Sequence, residues 1–297
     1  MSTEEVSFPL PQAGITLRGR RSGNGRVSGA NTASPADTAL SAHTVPPVIC
    51  LHGWMDNCAS FGPLAEAMPE ADLVALDLPG HGHSDPIPSL TCQLLDYAIC
   101  VMELTRIQGW QRYRLAGHSI GGALAAIVAG LDPDSVERLV LLDPVLPRAA
   151  TAAEAQLSAA RYAKAYLKPL EAAPVFATRY QAVKARAQLA DVLVDSAERL
   201  AARDLDEVPG GFASRSDVRL RYPFIRTLTE DQARAMLGAI AAPTLLITGD
   251  QSPVADTLDP ALIGDNRDAQ HHRLPGGHHV HMENPGQVAA VVTEFLR

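Results

Sequence analysis

The sequence lacks an excess of positive charge: 25 Lys and Arg stand against 33 Asp and Glu, for a formal net charge of -8. It therefore carries no basic footprint for a polyanion, and nucleic acid is not an expected partner. Cysteine is scarce, and Cys50, Cys58, Cys92 and Cys100 form no C-x-x-C pair and have no histidine at metal-ligand spacing. That argues against a zinc site and a redox dithiol and leaves free thiols in a reducing compartment as the expectation. Long apolar runs are missing too: stretches such as Gly121 to Gly130 are far too short to span a bilayer. The start, Met1 to Leu10, carries Glu4 and Glu5 and has no basic segment followed by an apolar run. No secretory signal is expected from it, and a cytoplasmic location without a membrane is. What is present is 297 residues with 46% hydrophobic content, enough for one large domain with an insertion and a real core.

Short apolar runs alternate with helical stretches. Val6 to Leu10 and Ile15 to Arg18 read as a leading antiparallel hairpin, followed by strands Val45 to Leu51, Leu73 to Leu76, Tyr113 to Ala116 and Leu139 to Leu142. Helices are expected between them over Phe61 to Met68, Leu90 to Gln108 and Gly121 to Leu131. Continuous apolar strands separated by helices of ten or more residues predict an α/β fold with a doubly wound, mostly parallel sheet covered on both faces. After Pro147 the alternation stops, and residues 147–215 read as an inserted helical cap between core segments 1–146 and 216–297. The core pattern resumes with a helix near Glu230 to Ile240, strands Thr244 to Thr248 and His271 to Leu274, and a last helix from Pro285 to Leu296. Residues 22–44, rich in Ser, Gly, Asn, Ala and Thr without apolar periodicity, read as a flexible loop within the core.

Strand Tyr113 to Ala116 runs into Gly117-His118-Ser119-Ile120-Gly121, which opens an Ala-rich helix. This is G-x-S-x-G in the strand, turn and helix context that gives the pattern meaning, with Ser119 as candidate nucleophile. The competing reading is a glycine-rich helix N-terminus that binds phosphate or merely turns. The first buried strand ends in His52-Gly53-Trp54-Met55-Asp56-Asn57. The backbone N–H groups of Trp54 and Ile120 are candidate donors to an oxyanion. His52 reads as a buried histidine hydrogen-bonded within its loop, and Cys58, just after that loop, is the thiol nearest the candidate site. Near the C-terminus, Gly276-Gly277-His278-His279-Val280-His281 puts His278 on a tight loop as candidate base, with His281 packing against the last helix. A metal cluster of His278, His279 and His281 is the rival, with no Asp, Glu or Cys spacing to complete the shell; no metal and no cofactor are expected.

These stretches, with Gly210-Gly211, Leu228-Thr229-Glu230-Asp231-Gln232 and the turn Asp77-Leu78-Pro79-Gly80-His81-Gly82-His83-Ser84, resemble the α/β-hydrolase superfamily and its serine-hydrolase-like branch. The resemblance implies esterase-like hydrolysis through a Ser, His and acid triad. In that superfamily the acid usually follows the strand written here Thr244 to Thr248, in a G-x-x-D pattern, but this chain reads Gly249-Asp250-Gln251-Ser252. Some members carry the acid after the preceding core strand, where Asp143 stands, so Asp143 is preferred, with Asp250 as the alternative and Asp256 a minor third; Asp143 merely capping a turn before Pro144 is the bland reading. The expected activity is cleavage of an ester, thioester or lactone of a small to medium apolar substrate through an acyl-enzyme, with Trp54, Met55, Tyr162 and Tyr166 along the pocket. A carbon-carbon hydrolase or lyase using the same Ser and His stays open, as does a non-enzymatic ligand-binding protein. The sequence leaves a homodimer open.

Overall fold

The computed structural model describes residues 3–23, 45–146, 149–169, 171–190, 192–225, 228–255 and 269–297. All but Ser22 and Gly23 of the loop expected over 22–44 lie outside these residues, as does Asp256. The chain opens with antiparallel strands β1 (Glu4–Leu10) and β2 (Ile15–Ser22). Phe8, Leu10, Ile15 and Leu17 point inward, the alternation of a sheet with one buried face. Strands and helices then alternate as β3 (Val48–Leu51), α1 (Gly62–Ala67), β4 (Leu73–Leu76), α2 (Leu94–Ile107), β5 (Tyr113–His118), α3 (Ile120–Leu131) and β6 (Val136–Leu142). Helix α2 starts later than Leu90 because Gln93 and Asp96 form a reciprocal capping box at its N-terminus.

The chain next leaves the sheet through α4 (Ala152–Tyr166), α5 (Arg179–Ala190), α6 (Val194–Asp204) and a hairpin, β7 (Leu205–Val208) with β8 (Gly211–Ser214). The hairpin adds two short strands to the helices expected of the cap. Its strands are four residues each, too short to carry a period-two signal, and its turn rests on the positive φ of Gly210 and Gly211. The chain returns through α7 (Glu230–Gly238), β9 (Thr244–Gly249), β10 (Gln270–Leu274), the single turn α8 (Val280–Glu283) and α9 (Pro285–Phe295).

The main sheet has eight strands in the order β1-β2-β4-β3-β5-β6-β9-β10, parallel from β4 to β10. Every residue of β3, β4 and β9 is buried, as continuous apolar strands between two helical layers must be. One face packs Leu115, Leu139 and Leu141 against Leu104 of α2 and Leu124 and Val128 of α3; the other packs Val140, Leu142 and Ile247 with Leu64 of α1 and Val288 and Val292 of α9. The cap has little core of its own, with Val183, Val192, Ala197 and Ala201 clustered between α5 and α6. Arginines tie it down. Arg203, 3% exposed, donates through Nε to both oxygens of buried Asp77 at 3.0 and 2.8 Å and through Nη1 to Glu5 of β1 at 2.8 Å. Arg199 reaches Glu66 of α1 at 2.8 Å.

Candidate active site

The site gathers at the carboxyl ends of β3, β5, β6 and β9. Strand β5 turns into α3 through Ser119, whose φ of 54° and ψ of -120° lie where non-glycine residues are strained. The turn closes only because its flanking glycines have no side chain. A Cβ on Gly117 would stand 2.2 Å from the Gly121 carbonyl oxygen, and one on Gly121 would stand 2.1 Å from that of Leu51. The half-buried Ser119 hydroxyl meets His278 Nε2 at 2.9 Å, and His278 Nδ1 meets Asp143 Oδ2 at 2.6 Å.

Asp143 follows β6 with a φ of 43° and is fully buried. Its Oδ2 also accepts from the Ser252 hydroxyl at 2.5 Å, and its Oδ1 accepts from the Gly249 N–H at 3.1 Å. Ser252 thus stands where the superfamily pattern puts its acid and instead supports the carboxylate that sits one strand over. Asp250 does not approach His278; exposed, it accepts from the Gly276 N–H at 3.0 Å and so shapes the loop that carries the histidine. The same loop is pinned by Glu283, which accepts from the Gly277 N–H at 2.6 Å.

Among the described residues, the N–H groups of Trp54, in the loop after β3, and of Ile120, at the start of α3, make no hydrogen bond. His52 accepts from the Leu78 N–H through Nε2 at 2.9 Å and donates through Nδ1 to the Gly53 carbonyl at 2.7 Å, so it braces the loop. Burial holds His81, beside it, down to a pKa of about 3. The Trp54 ring lies against Phe224, Tyr97 and His81, and its indole N–H donates to the Leu220 carbonyl at 2.9 Å. Met55 adopts a positive φ of 63° beside it. Tyr162 and Tyr166 depart from the pocket expectation: their rings pack on each other and on Tyr222, and the Tyr162 hydroxyl donates to the Leu90 carbonyl. The Cys58 thiol is buried, and burial with the nearby Asp77 pushes it well above the usual range, away from reactivity.

Behind the serine lies a buried polar cluster that the sequence reading did not assemble. Asp56 Oδ2 accepts from His279 Nε2 at 3.1 Å, and Asp56 Oδ1 accepts from Arg186 of α5 at 3.0 Å. His118 donates from Nε2 to the His278 carbonyl at 2.9 Å while its Nδ1, without a hydrogen-bond partner, faces Asp56 Oδ2 at 3.7 Å. Despite burial, which alone would raise it, Asp56 is held well below the usual carboxylate range by His279 and Arg186. His281, fully buried with its ring 4.4 Å from that of His118, is held down by burial to about 3. Asp56, His118 and His279 each present one ligand atom within 4.8 Å of the others. Both Asp56 oxygens are already engaged and its charge is met by a guanidinium, so the donor set suits an ion pair better than a divalent cation. His278, in the rival metal reading, has both ring nitrogens on Asp143 and Ser119. The sequence reading gave no role to His118, although it stands at the first x of G-x-S-x-G, nor to Arg186, which nothing in the pattern of α5 singles out. A groove of about 600 Å³ at the far end of α2, lined by Gln12, Met102, Glu103, Arg106 and Trp110, shares no residue with this site.

The sequence profile of the α/β-hydrolase fold family matches residues 46–285, a span that runs from β3 to the last helix and contains Ser119, Asp143 and His278. The chain is an α/β hydrolase. It belongs to the serine-hydrolase-like branch of that family. A serine hydrolase-like protein of Danio rerio is 29% identical over 84% of this chain and 81% of its own length, and lipase LipV of Mycobacterium tuberculosis is 29% identical over 84% and 92%. A hypothetical protein of Pseudomonas aeruginosa superposes with a TM-score of 0.84 at 34% identity over 99% of this α/β hydrolase and 100% of the other chain. The thioesterase domain from the curacin biosynthetic pathway shares the fold, with a TM-score of 0.80 at 22% identity over 99% and 100%. Among the described residues, no helix is long and apolar enough to cross a membrane.

Proposed function

We propose that this α/β hydrolase cleaves an ester, thioester or lactone of a small to medium apolar substrate through an acyl-enzyme on Ser119. The observation that carries the reading is the continuous chain from Ser119 Oγ to His278 Nε2 at 2.9 Å and from His278 Nδ1 to Asp143 Oδ2 at 2.6 Å, centred on a strained serine. His278 takes the Ser119 proton as Oγ attacks the carbonyl carbon, then returns it to the leaving group as the tetrahedral intermediate collapses. A water deprotonated by the same histidine releases the acid. Asp143 fixes the His278 tautomer with Nε2 free to accept and stabilises the imidazolium. The N–H groups of Ile120 and Trp54 receive the charge on the carbonyl oxygen, each worth about 3 kcal/mol in such sites. Trp54, Met55 and Phe224 supply the apolar wall. No cofactor enters.

The test is labelling with a serine-directed fluorophosphonate, mapped by mass spectrometry, beside p-nitrophenyl ester turnover. The expected outcome is a single adduct at Ser119 that disappears in Ser119→Ala and His278→Ala together with turnover. A native chain that neither labels nor turns over any acyl chain length refutes the reading.

A further inference from the structure

Asp56 lies where the oxyanion loop, the loop of the base and the cap meet, yet it takes no part in the proton transfer assigned to Asp143. Arg186, reaching in from α5, donates through Nη2 to the Met55 carbonyl at 2.5 Å and to Asp56 Oδ1 at 3.0 Å. One guanidinium thus grips the peptide between Met55 and Asp56 and the Asp56 carboxylate itself. The peptide needs gripping, because Met55 holds a positive φ of 63° without being glycine. On its other side Asp56 accepts from His279, the residue after the base, while His118 ties down the carbonyl of the base itself. Packing is tight enough that a Cβ on Gly53 would stand 3.0 Å from both Asp56 Oδ2 and His118 Nδ1. Asp56 and His118 are 4% and 1% exposed, so water does not replace these contacts when one is lost.

We propose that Asp56 is a positioning residue that sets the oxyanion loop and the backbone of His278 against Ser119, and that Arg186 makes this setting depend on the cap being docked through α5. The inference rests on the acyl-enzyme reading of Ser119. Without Arg186, buried Asp56 keeps only His279 as a charge partner, and without Asp56, Arg186 keeps only Asp204, at 3.7 Å, so loss of either half weakens the hold on the loop. Displacement of a catalytic group by about 1 Å costs on the order of 100-fold in rate. The loss is expected in kcat, because neither residue belongs to the apolar wall assigned to Trp54, Met55 and Phe224. An amide at position 56 keeps the shape but turns N–H donors toward Arg186 or His279, both of which donate already.

The experiment measures fluorophosphonate labelling rate at Ser119 and p-nitrophenyl ester kinetics on the full chain and on Asp56→Asn, Arg186→Ala, Arg186→Lys and the Asp56→Asn/Arg186→Ala pair. Expected are a fall in kcat of about 100-fold in each of the first two with KM within about threefold, and a double variant no worse than the poorer single. Free guanidinium ion should raise kcat several-fold in Arg186→Ala and leave Asp56→Asn unmoved, a response that a merely structural contact would not give. Circular dichroism accompanies each variant. If Arg186→Ala does not fold, Arg186→Lys, which keeps a cation but on a shorter side chain that ends short of the Nη2 position, carries the test through reduced kcat at unchanged KM. Native labelling together with native kcat in the variants, or penalties that add, overturns the proposal and leaves the Ser119 reading standing. Absence of labelling in the native chain removes both.

Discussion

The ends of β6 and β9 lie side by side in the sheet, and each puts an aspartate within two residues of its last strand position. After β6, Asp143 is fully buried and surrounded by three donors, from His278, Ser252 and Gly249. After β9, Asp250 is exposed and serves one backbone N–H of the histidine loop. What separates the two is burial and direction at the sheet edge. A carboxylate orients an imidazole where it is shielded and aimed at Nδ1; Asp143 meets both conditions and Asp250 neither, while Ser252, two residues past Asp250 and across from β6, lends Asp143 a hydroxyl.

Asp143→Asn gives the largest effect that tests the contrast: kcat for p-nitrophenyl esters should fall by about 10⁴, because the amide favours the wrong histidine tautomer while leaving the shape intact. A fall of less than tenfold would return the acid to another residue. Acid unfolding comes next and probes the buried side alone. His81 and His281 have pKa values lowered to about 3 from an ordinary 6.5, so the unfolded chain binds the additional protons. Their stabilisation is complete above pH 6.5 and is lost as pH falls from there toward 3, by about 1.4 kcal/mol per pH unit for each histidine. Denaturant midpoints should fall between pH 7 and 4, and His281→Asn should remove its own share of the slope, about 1.4 kcal/mol per pH unit, leaving that of His81, His52 and His118. Ser252→Ala removes a single donor from Asp143 and should cost about tenfold in kcat. Asp250→Asn, at the exposed position, should leave kcat within about threefold, and a larger loss there would erase the contrast.

Much of the fold was legible because the parallel strands are written as continuous apolar runs and the elbow as glycines around a serine. Ser119 and His278 stood out for the same reason: each needs glycine neighbours, and glycine leaves a mark in one dimension. The choice between Asp143 and Asp250 did not, since both are aspartates after apolar strands and only the third dimension says which one faces Nδ1. The cap was legible as an insertion but not in detail. Tyr162 and Tyr166 carry helical spacing that reads alike for a pocket wall and for a stack on Tyr222. Arg186 and Asp56 were invisible as a pair because 130 residues separate them and each, taken singly, is an ordinary charge in a polar stretch.

The tie between Arg203 and Glu5 spans 198 residues, which turns a static ion pair into a matter of timing during synthesis. At about 5–20 residues per second, a ribosome needs on the order of 10–40 s after making Glu5 before it makes Arg203. Through that interval Glu5 has Arg20 for company, a partner within its own hairpin at 2.8 Å. Among the described residues, the cation that pairs with Asp77 is Arg203 itself, with no partner nearer in sequence. Until then the Asp77 carboxylate can draw on the backbone N–H groups of Cys58 and His83, at 2.9 and 2.8 Å, and its counter-charge arrives only with the cap.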